Sequence, residues 1–280
     1  MQRLLTCISA VALTLLPELP ASAATVYFND TPLNTMGMAS RPGVGGKNEI
    51  EAADDFLLSF GSRITGGTFT GLLTGNGPTI GLVNIEIYRV FPNDSTNPPS
   101  GRVPTRTNSP SDIVFGSRGT LTSDLSFSTT TLSASFTATN SVLNGINALP
   151  NQTTGGEGPI TGQEVRFNFA FLTPMDLPAD HYFFIPQVQV AGGEFYWLSA
   201  SRPISGAGTT PFSPDLQAWI RNASLDPDWL RVGSDIVGGA PAPTFNAAFS
   251  LNGSVPEPSS IALVAAGIAF LGVRRLRSRR

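Results

Sequence analysis

Hydrophobic residues in this chain recur at every second position. Val165, Phe167, Phe169 and Phe171 alternate with Glu164, Arg166, Asn168 and Ala170. Leu132, Ala134, Phe136 and Ala138 alternate with Ser133, Ser135, Thr137 and Thr139, and Phe245, Ala247, Phe249 and Leu251 with Asn246, Ala248 and Ser250. Successive side chains of a strand point to opposite faces, so this period marks strands with one buried face. Val83-Asn84-Ile85-Glu86-Ile87 begins another, which continues to Phe91 with Tyr88 and Val90 on the opposite face. The stretches 54–60, 63–73, 182–190 and 193–199 read the same way. Long helices are disfavoured by 29 Gly and 23 Pro in 280 residues, and no amphipathic helical pattern stands out.

Turn clusters separate the strands: Gly66-Gly67, Gly75 to Pro78, Asn93 to Gly101, Gly155 to Gly158 and Gly238 to Pro243. Pro92 to Pro110 reads as one long loop. No internal repeat appears, which argues against a solenoid or propeller. About ten such strands predict an all-β fold, an antiparallel β-sandwich of jelly-roll type, as a single domain over residues 24–254.

The two ends have different logic. Arg3 precedes an apolar run from Leu4 to Leu16, then Pro17, Pro20 and Ala21-Ser22-Ala23. This is the order of a secretory signal: a short signal helix over residues 1–23, with Ala21 and Ala23 at the cleavage site. Its partners would be the secretion translocase and a signal peptidase. At the other end, Val255-Pro256-Glu257-Pro258 leads into an uncharged apolar run from Ile261 to Val273 and then Arg274, Arg275, Arg277, Arg279 and Arg280. Thirteen residues make a helix of roughly 20 Å against a hydrocarbon thickness of about 30 Å, a marginal span that flanking arginines extend by snorkelling. Arginines on the cytoplasmic side would hold the body outside.

Pro256-Glu257-Pro258, the short hydrophobic helix and the terminal arginines together resemble the PEP-CTERM sorting signal of exported bacterial proteins, over residues 255–280. The resemblance implies processing by an exosortase, a transient inner-membrane anchor, and delivery to the cell surface or extracellular polymer. The body is similar to uncharacterised exported β-sandwich proteins with this tail, through Ala53-Asp54-Asp55-Phe56, Ile87-Tyr88-Arg89-Val90-Phe91, Leu177-Pro178-Ala179-Asp180-His181-Tyr182 and Phe245-Asn246-Ala247-Ala248-Phe249. That second resemblance implies a fold and a compartment, and transfers no activity.

Charge and cysteine narrow the chemistry. Between Ala24 and Ser254 there are 11 basic and 18 acidic residues, a net charge near −7, which opposes nucleic acid as a partner. The one cysteine, Cys7, lies in the signal, so the mature body offers no disulfide, thiolate metal site or cysteine nucleophile. His181 is the only histidine and no G-x-S-x-G turn is present, so nothing prefigures a Ser-His-Asp triad; its place after Pro178-Ala179-Asp180 predicts a surface turn histidine. Asp54-Asp55 and Asp226-Pro227-Asp228 are the acidic pairs, weak candidates for a structural calcium ion. Adjacent strand residues face opposite ways, however, so Asp54 and Asp55 cannot both reach one ion from a strand.

Three tryptophans fall within one quarter of the chain. Trp197, preceded by Tyr196, and then Trp219 and Trp229 are candidates for stacking on a sugar face, with Trp219 on the polar side of Leu216-Ala218-Ile220. The alternative is that these rings seal the sandwich core. The expectation is therefore a non-catalytic exported protein, structural or in contact with extracellular polysaccharide and without a catalytic cofactor. The competing reading is a secreted carbohydrate-active enzyme that uses carboxylates only.

Overall fold

The computed structural model describes residues 24–91, 107–146, 153–201, 216–223 and 228–255. The signal segment, Asp226 and the tail from Pro256 onward, including the two short terminal helices expected there, lie outside the described residues. Among the described residues there are fifteen strands and one six-residue π-helical turn, Val232–Val237.

Two sheets pack face to face. The nine-stranded sheet holds β1 (Ala24–Asn29), β2 (Pro32–Ala39), β4 (Ser62–Leu73), β7 (Leu125–Ala138), β8 (Ser141–Val142), β9 (Ile160–Leu177), β11 (Phe195–Ala200), β14 (Asn246–Ala247) and β15 (Phe249–Ser254). The six-stranded sheet runs β13 (Leu230–Arg231), β12 (Trp219–Asn222), β3 (Ile50–Leu58), β10 (Asp180–Ala191), β5 (Thr79–Val90) and β6 (Pro110–Gly119). All pairings are antiparallel except the two-residue contact of β2 with β8. The all-β sandwich expected from the alternation is the observed fold, with more strands than the alternating runs alone revealed.

The alternating residues meet between the sheets. Phe69, Phe167, Phe169, Phe184, Phe195, Trp197 and Phe249 form one continuous ring cluster. Phe184 and Phe249 stack across the sandwich at 4.7 Å, and Phe69 and Phe167 stack within one sheet at 4.6 Å. Each such ring removes well over 100 Å² of apolar surface from water, and offset or edge contacts add to that burial.

Gly66-Gly67 is not a turn. Both residues lie inside β4, flanked by β9 and β15. A Cβ at Gly66 would stand 2.3 Å from Phe169 O, and one at Gly67 2.0 Å from Ser250 O. The glycines are required by backbone approach on both sides, the other physical use of this residue.

A second, smaller core covers the far side of the six-stranded sheet. Ala53, Tyr88, Val90, Phe183 and Ile185 project outward there, and Leu216, Trp219 and Trp229 close over them. Along β5 the alternation is unbroken: Val83, Ile85 and Ile87 point inward to the main core, and Tyr88 and Val90 point outward to the smaller one. The strands of this sheet are thus buried on both faces over part of their length, which is what brings polar groups of β3, β5, β10 and β12 together under cover.

Candidate functional site: a buried carboxylate cluster

On β3, residues alternate inward (Ile50, Ala52, Phe56) and outward (Glu51, Ala53, Asp55). The outward column meets Trp219 and Arg221 of β12 on one side. On the other side β10 carries Phe183, Ile185 and Gln187, and beyond it β5 carries Asn84, Glu86 and Tyr88. Strand register alone therefore collects Glu51, Asn84, Glu86, Tyr88, Gln187 and Arg221 on one face.

Their hydrogen bonds form a single network. Arg221 donates from Nε to Glu51 Oε2 and from Nη2 to the Tyr88 hydroxyl at 3.2 Å. The Tyr88 hydroxyl lies 2.9 Å from Glu51 Oε1 and 3.1 Å from Glu86 Oε2. Asn84 donates from Nδ2 to Glu86 Oε1 at 2.9 Å and to Gln187 Oε1 at 3.0 Å, and Gln187 donates on to Glu49 at 2.8 Å. The Arg221 guanidinium sits 4.5 Å from the Trp229 ring centre, and Trp229 meets Tyr88 edge-on at 5.8 Å. Such a desolvated cation over an indole face adds attraction to the ion pair.

Arg221 pairs with Glu51, and Glu86 faces the charges of Glu51 and Glu49. Burial is the largest influence on Glu86; the charge of Glu51, a hydrogen bond with Glu51 and the charge of Glu49 push in the same direction, and the Asn84 bond pulls the other way. The result is a carboxyl raised from the ordinary range to about 7. The Tyr88 hydroxyl has one proton and already accepts from Arg221. It can donate to only one of its two carboxyl neighbours, so the contact with Glu86 is completed when Glu86 itself carries a proton. Burial, followed by the charges of Glu51 and Glu86, pushes the Tyr88 phenol far up, so it remains a neutral hydrogen-bonding hub. Chemically, the cluster is an acid that titrates near neutrality beside a carboxylate paired with arginine, the pairing from which general acid and base roles are built.

The residues singled out from the sequence are placed differently. Tyr196, Trp197, Trp219 and Trp229 are all buried, none more than 5% exposed. Trp197 lies in the main core and donates to Ala248 O at 2.9 Å, and Trp219 and Trp229 roof the smaller core. Trp219 does stand on the outward face of its strand, but that face is covered. These rings seal cores and form no sugar platform.

His181 is not a surface turn residue. Strand β10 begins at Asp180, which makes His181 its second residue, wholly buried. Its Nε2 lies 2.6 Å from Asp55 Oδ2, and the other Asp55 oxygen accepts from Leu216 N at 2.9 Å. Asp54 faces the opposite way, into the space between the sheets, and accepts from Ala247 N at 2.7 Å. The two carboxylates thus face opposite ways, and each pins a different segment. Asp228 is buried, and Asp226 lies outside the described residues. No group of three His, Cys, Asp or Glu residues among those described is arranged to hold a metal ion.

A hollow of about 260 Å³ opens between the 73–78 turn, β7 and β9, lined by Ser135, Thr161 and Gln163 among others, with neither an aromatic nor an ionisable side chain on its wall. It offers hydrogen bonds but no acid–base chemistry.

Residues 254–280 match the PEP-CTERM protein-sorting motif. The chain thus ends in the signal of an exported protein sorted to the cell surface by an exosortase. The match covers the tail and leaves the sandwich untouched. Comparison with curated proteins and with solved structures returns no match. Among the described residues no helix is long and apolar enough to cross a membrane, and the apolar run Ile261 to Val273 lies outside them.

Proposed function

We propose that the protein is a non-catalytic component of the cell surface or extracellular polymer, a β-sandwich carried there by its tail and serving a structural role in contact with polysaccharide. The observation that carries this reading is where the chemistry-bearing side chains are spent. Trp197, Trp219 and Trp229 are sealed in cores, and Asp54, Asp55 and His181 hold strands and covering segments together. Glu51 is 2% exposed and held by Arg221 and Tyr88. Contact with polysaccharide then falls to surface hydroxyl and amide groups, such as those of the hollow beside β7. Passage to the surface engages the translocase and signal peptidase first and the exosortase last, with the tail as a transient anchor. No catalytic cofactor enters this reading.

A second reading is favoured by one observation, the Glu51–Glu86 pair with Glu86 raised to about 7. It is a hydrolase working through carboxylates. One experiment separates the two: incubate the exported, processed protein with the producing organism's extracellular polysaccharide, and measure retained protein and released reducing ends. Retention without release supports the structural reading. Release that disappears in Glu86→Gln supports the hydrolase. The sorting step is tested separately. Replacing Pro256-Glu257-Pro258 by alanines is expected to trap an unprocessed, membrane-held form, and normal processing would contradict it.

A further inference from the structure

A sheet that does not close into a barrel leaves edges, and an edge strand presents a row of unpaired backbone N–H and C=O groups that templates pairing with another chain. Soluble proteins blunt such edges with shortness, charge, proline or a bulge. Most edges of this sandwich carry one of these devices. In the six-stranded sheet, β13 has two residues, one of them Arg231; β6 starts at Pro110, carries Asp112 and Arg118, and shifts register twice against β5. In the nine-stranded sheet, β8 has two residues and β1 has six, interrupted by a register shift between Thr25 and Tyr27.

Strand β7 is the exception. It is 14 residues long, and among the described residues it pairs only with β9. From Leu125 to Ala138 it contains no charged residue and no proline. Its two register shifts against β9 lie after Thr131, so Leu125 to Thr131 runs seven residues in unbroken register, from Leu125 opposite Phe171 to Thr131 opposite Val165. From Ser128 to Leu132 every side chain is exposed. Odd and even positions face opposite sides of the sheet, so among the described residues no layer covers either face there.

We propose that Leu125–Thr131 of β7 is a self-association edge, at which a second copy of this chain adds its own β7 antiparallel to form one continuous sheet across the pair. Three observations select a second copy as the occupant. Each copy brings a free edge of the same length and pattern, and antiparallel pairing of identical strands about a twofold axis is self-complementary and closes at two. Two bodies with a net charge near −7 repel each other, and the uncharged stretch of β7 lets backbones meet without placing like charges opposite one another. The tail delivers every copy to one surface, which concentrates the edges where they meet. Seven paired residues span roughly 24 Å. Their outward side chains, Ser126, Ser128 and Thr130, supply facing hydroxyls of the kind that stabilise cross-strand pairs. The inference is independent of whether the surface protein also touches polysaccharide.

The test uses the absence of cysteine from the body. In a Cys7→Ala background a single cysteine is placed at Ser128, which the twofold axis sets opposite its own copy, with two controls: Ser126→Cys, which pairs with Thr130 and lies roughly 14 Å from its own copy, and Phe60→Cys, an exposed site on the β3–β4 connection. The processed protein is examined by sedimentation over a range of concentrations and by oxidative cross-linking. The expected result is a concentration-dependent dimer, strengthened by added salt, with a cross-link at Ser128→Cys and none at Ser126→Cys or Phe60→Cys. Ser128→Lys, which sets two like charges near the axis, is expected to weaken the dimer about fivefold while leaving the unfolding transition unchanged, and salt should restore association. A monomer at every concentration, cross-links that favour Phe60→Cys, or growth into open-ended polymers would each overturn the proposal.

Discussion

Glu86→Gln tests the carboxylate cluster as a unit. Glutamine keeps the shape and an N–H where the protonated acid has an O–H, and it cannot ionise. In the native protein the Glu86 carboxyl is raised from 4.5 to about 7 by burial and by Glu51 and Glu49. A folded value above the unfolded one means that the group stabilises the fold fully below the unfolded value, and that this contribution is lost as pH rises through the folded one. The window is therefore pH 4.5 to 7, with stability falling upward. At 1.36 kcal/mol per unit, a separation of about 2.5 units corresponds to about 3 kcal/mol lost between pH 4 and pH 8. Carboxylates outside the cluster contribute equally to both proteins, so the difference between wild type and variant isolates the cluster. The assay is urea unfolding of both at pH 4.5, 6 and 8. The stability of Glu86→Gln relative to wild type should rise by about 3 kcal/mol across that range, with the steepest change between pH 5 and 7. A difference that does not vary with pH would refute the account of a neutral acid held against two carboxylates and one arginine.

Three further substitutions probe other parts of the same argument. Asp55→Ala removes the partner of buried His181 and the acceptor for Leu216 N, and should cost about 3 kcal/mol or more in chemical unfolding; a loss below 1 kcal/mol would mean the pair is dispensable. Gly67→Ala places a Cβ 2.0 Å from Ser250 O and 3.0 Å from the Phe169 ring, and should cost about 3 kcal/mol or prevent export of folded protein; an unchanged melting curve would contradict the close approach of β4 and β15. Trp197→Phe should be more damaging than Trp229→Phe by about 1 kcal/mol, because the Trp197 indole donates to Ala248 O at 2.9 Å whereas the Trp229 N–H has no acceptor among the described residues. Equal losses would show that ring volume alone decides both.

What the sequence makes legible follows from how local each signal is. Alternation is a two-residue property, and Val165 to Phe171 and Phe245 to Leu251 reach the main core as their pattern requires. The opposite facing of Tyr88 and Val90 was legible for the same reason. The sorting tail is contiguous, so its order of motif, apolar run and arginines could be read directly. Gly66-Gly67 was misread because a glycine demanded by a neighbouring backbone looks, in one dimension, like a glycine demanded by a turn. His181 was misplaced because Pro178-Ala179-Asp180 reads as a turn, and the choice for Trp219 between sugar platform and core ring stayed open because nothing local announces that Leu216, Trp219 and Trp229 close over the far face of the sheet. The carboxylate cluster was least legible of all. Glu51 and Glu86 are 35 positions apart, on strands that do not touch, and meet because both flank β10 in a particular register. Among 18 acidic residues in the body, no spacing marks these two. The usable signal was the company Glu86 keeps: an acidic residue at an outward position of β5, with Asn84 before it and Tyr88 after it. Three consecutive outward positions of one strand holding an amide, an acid and a phenol form a hydrogen-bonding face, and in a chain with so little charge such a face is buried only where other strands supply its partners. Arg221, Gln187 and Glu51 are those partners, and each comes from a different strand.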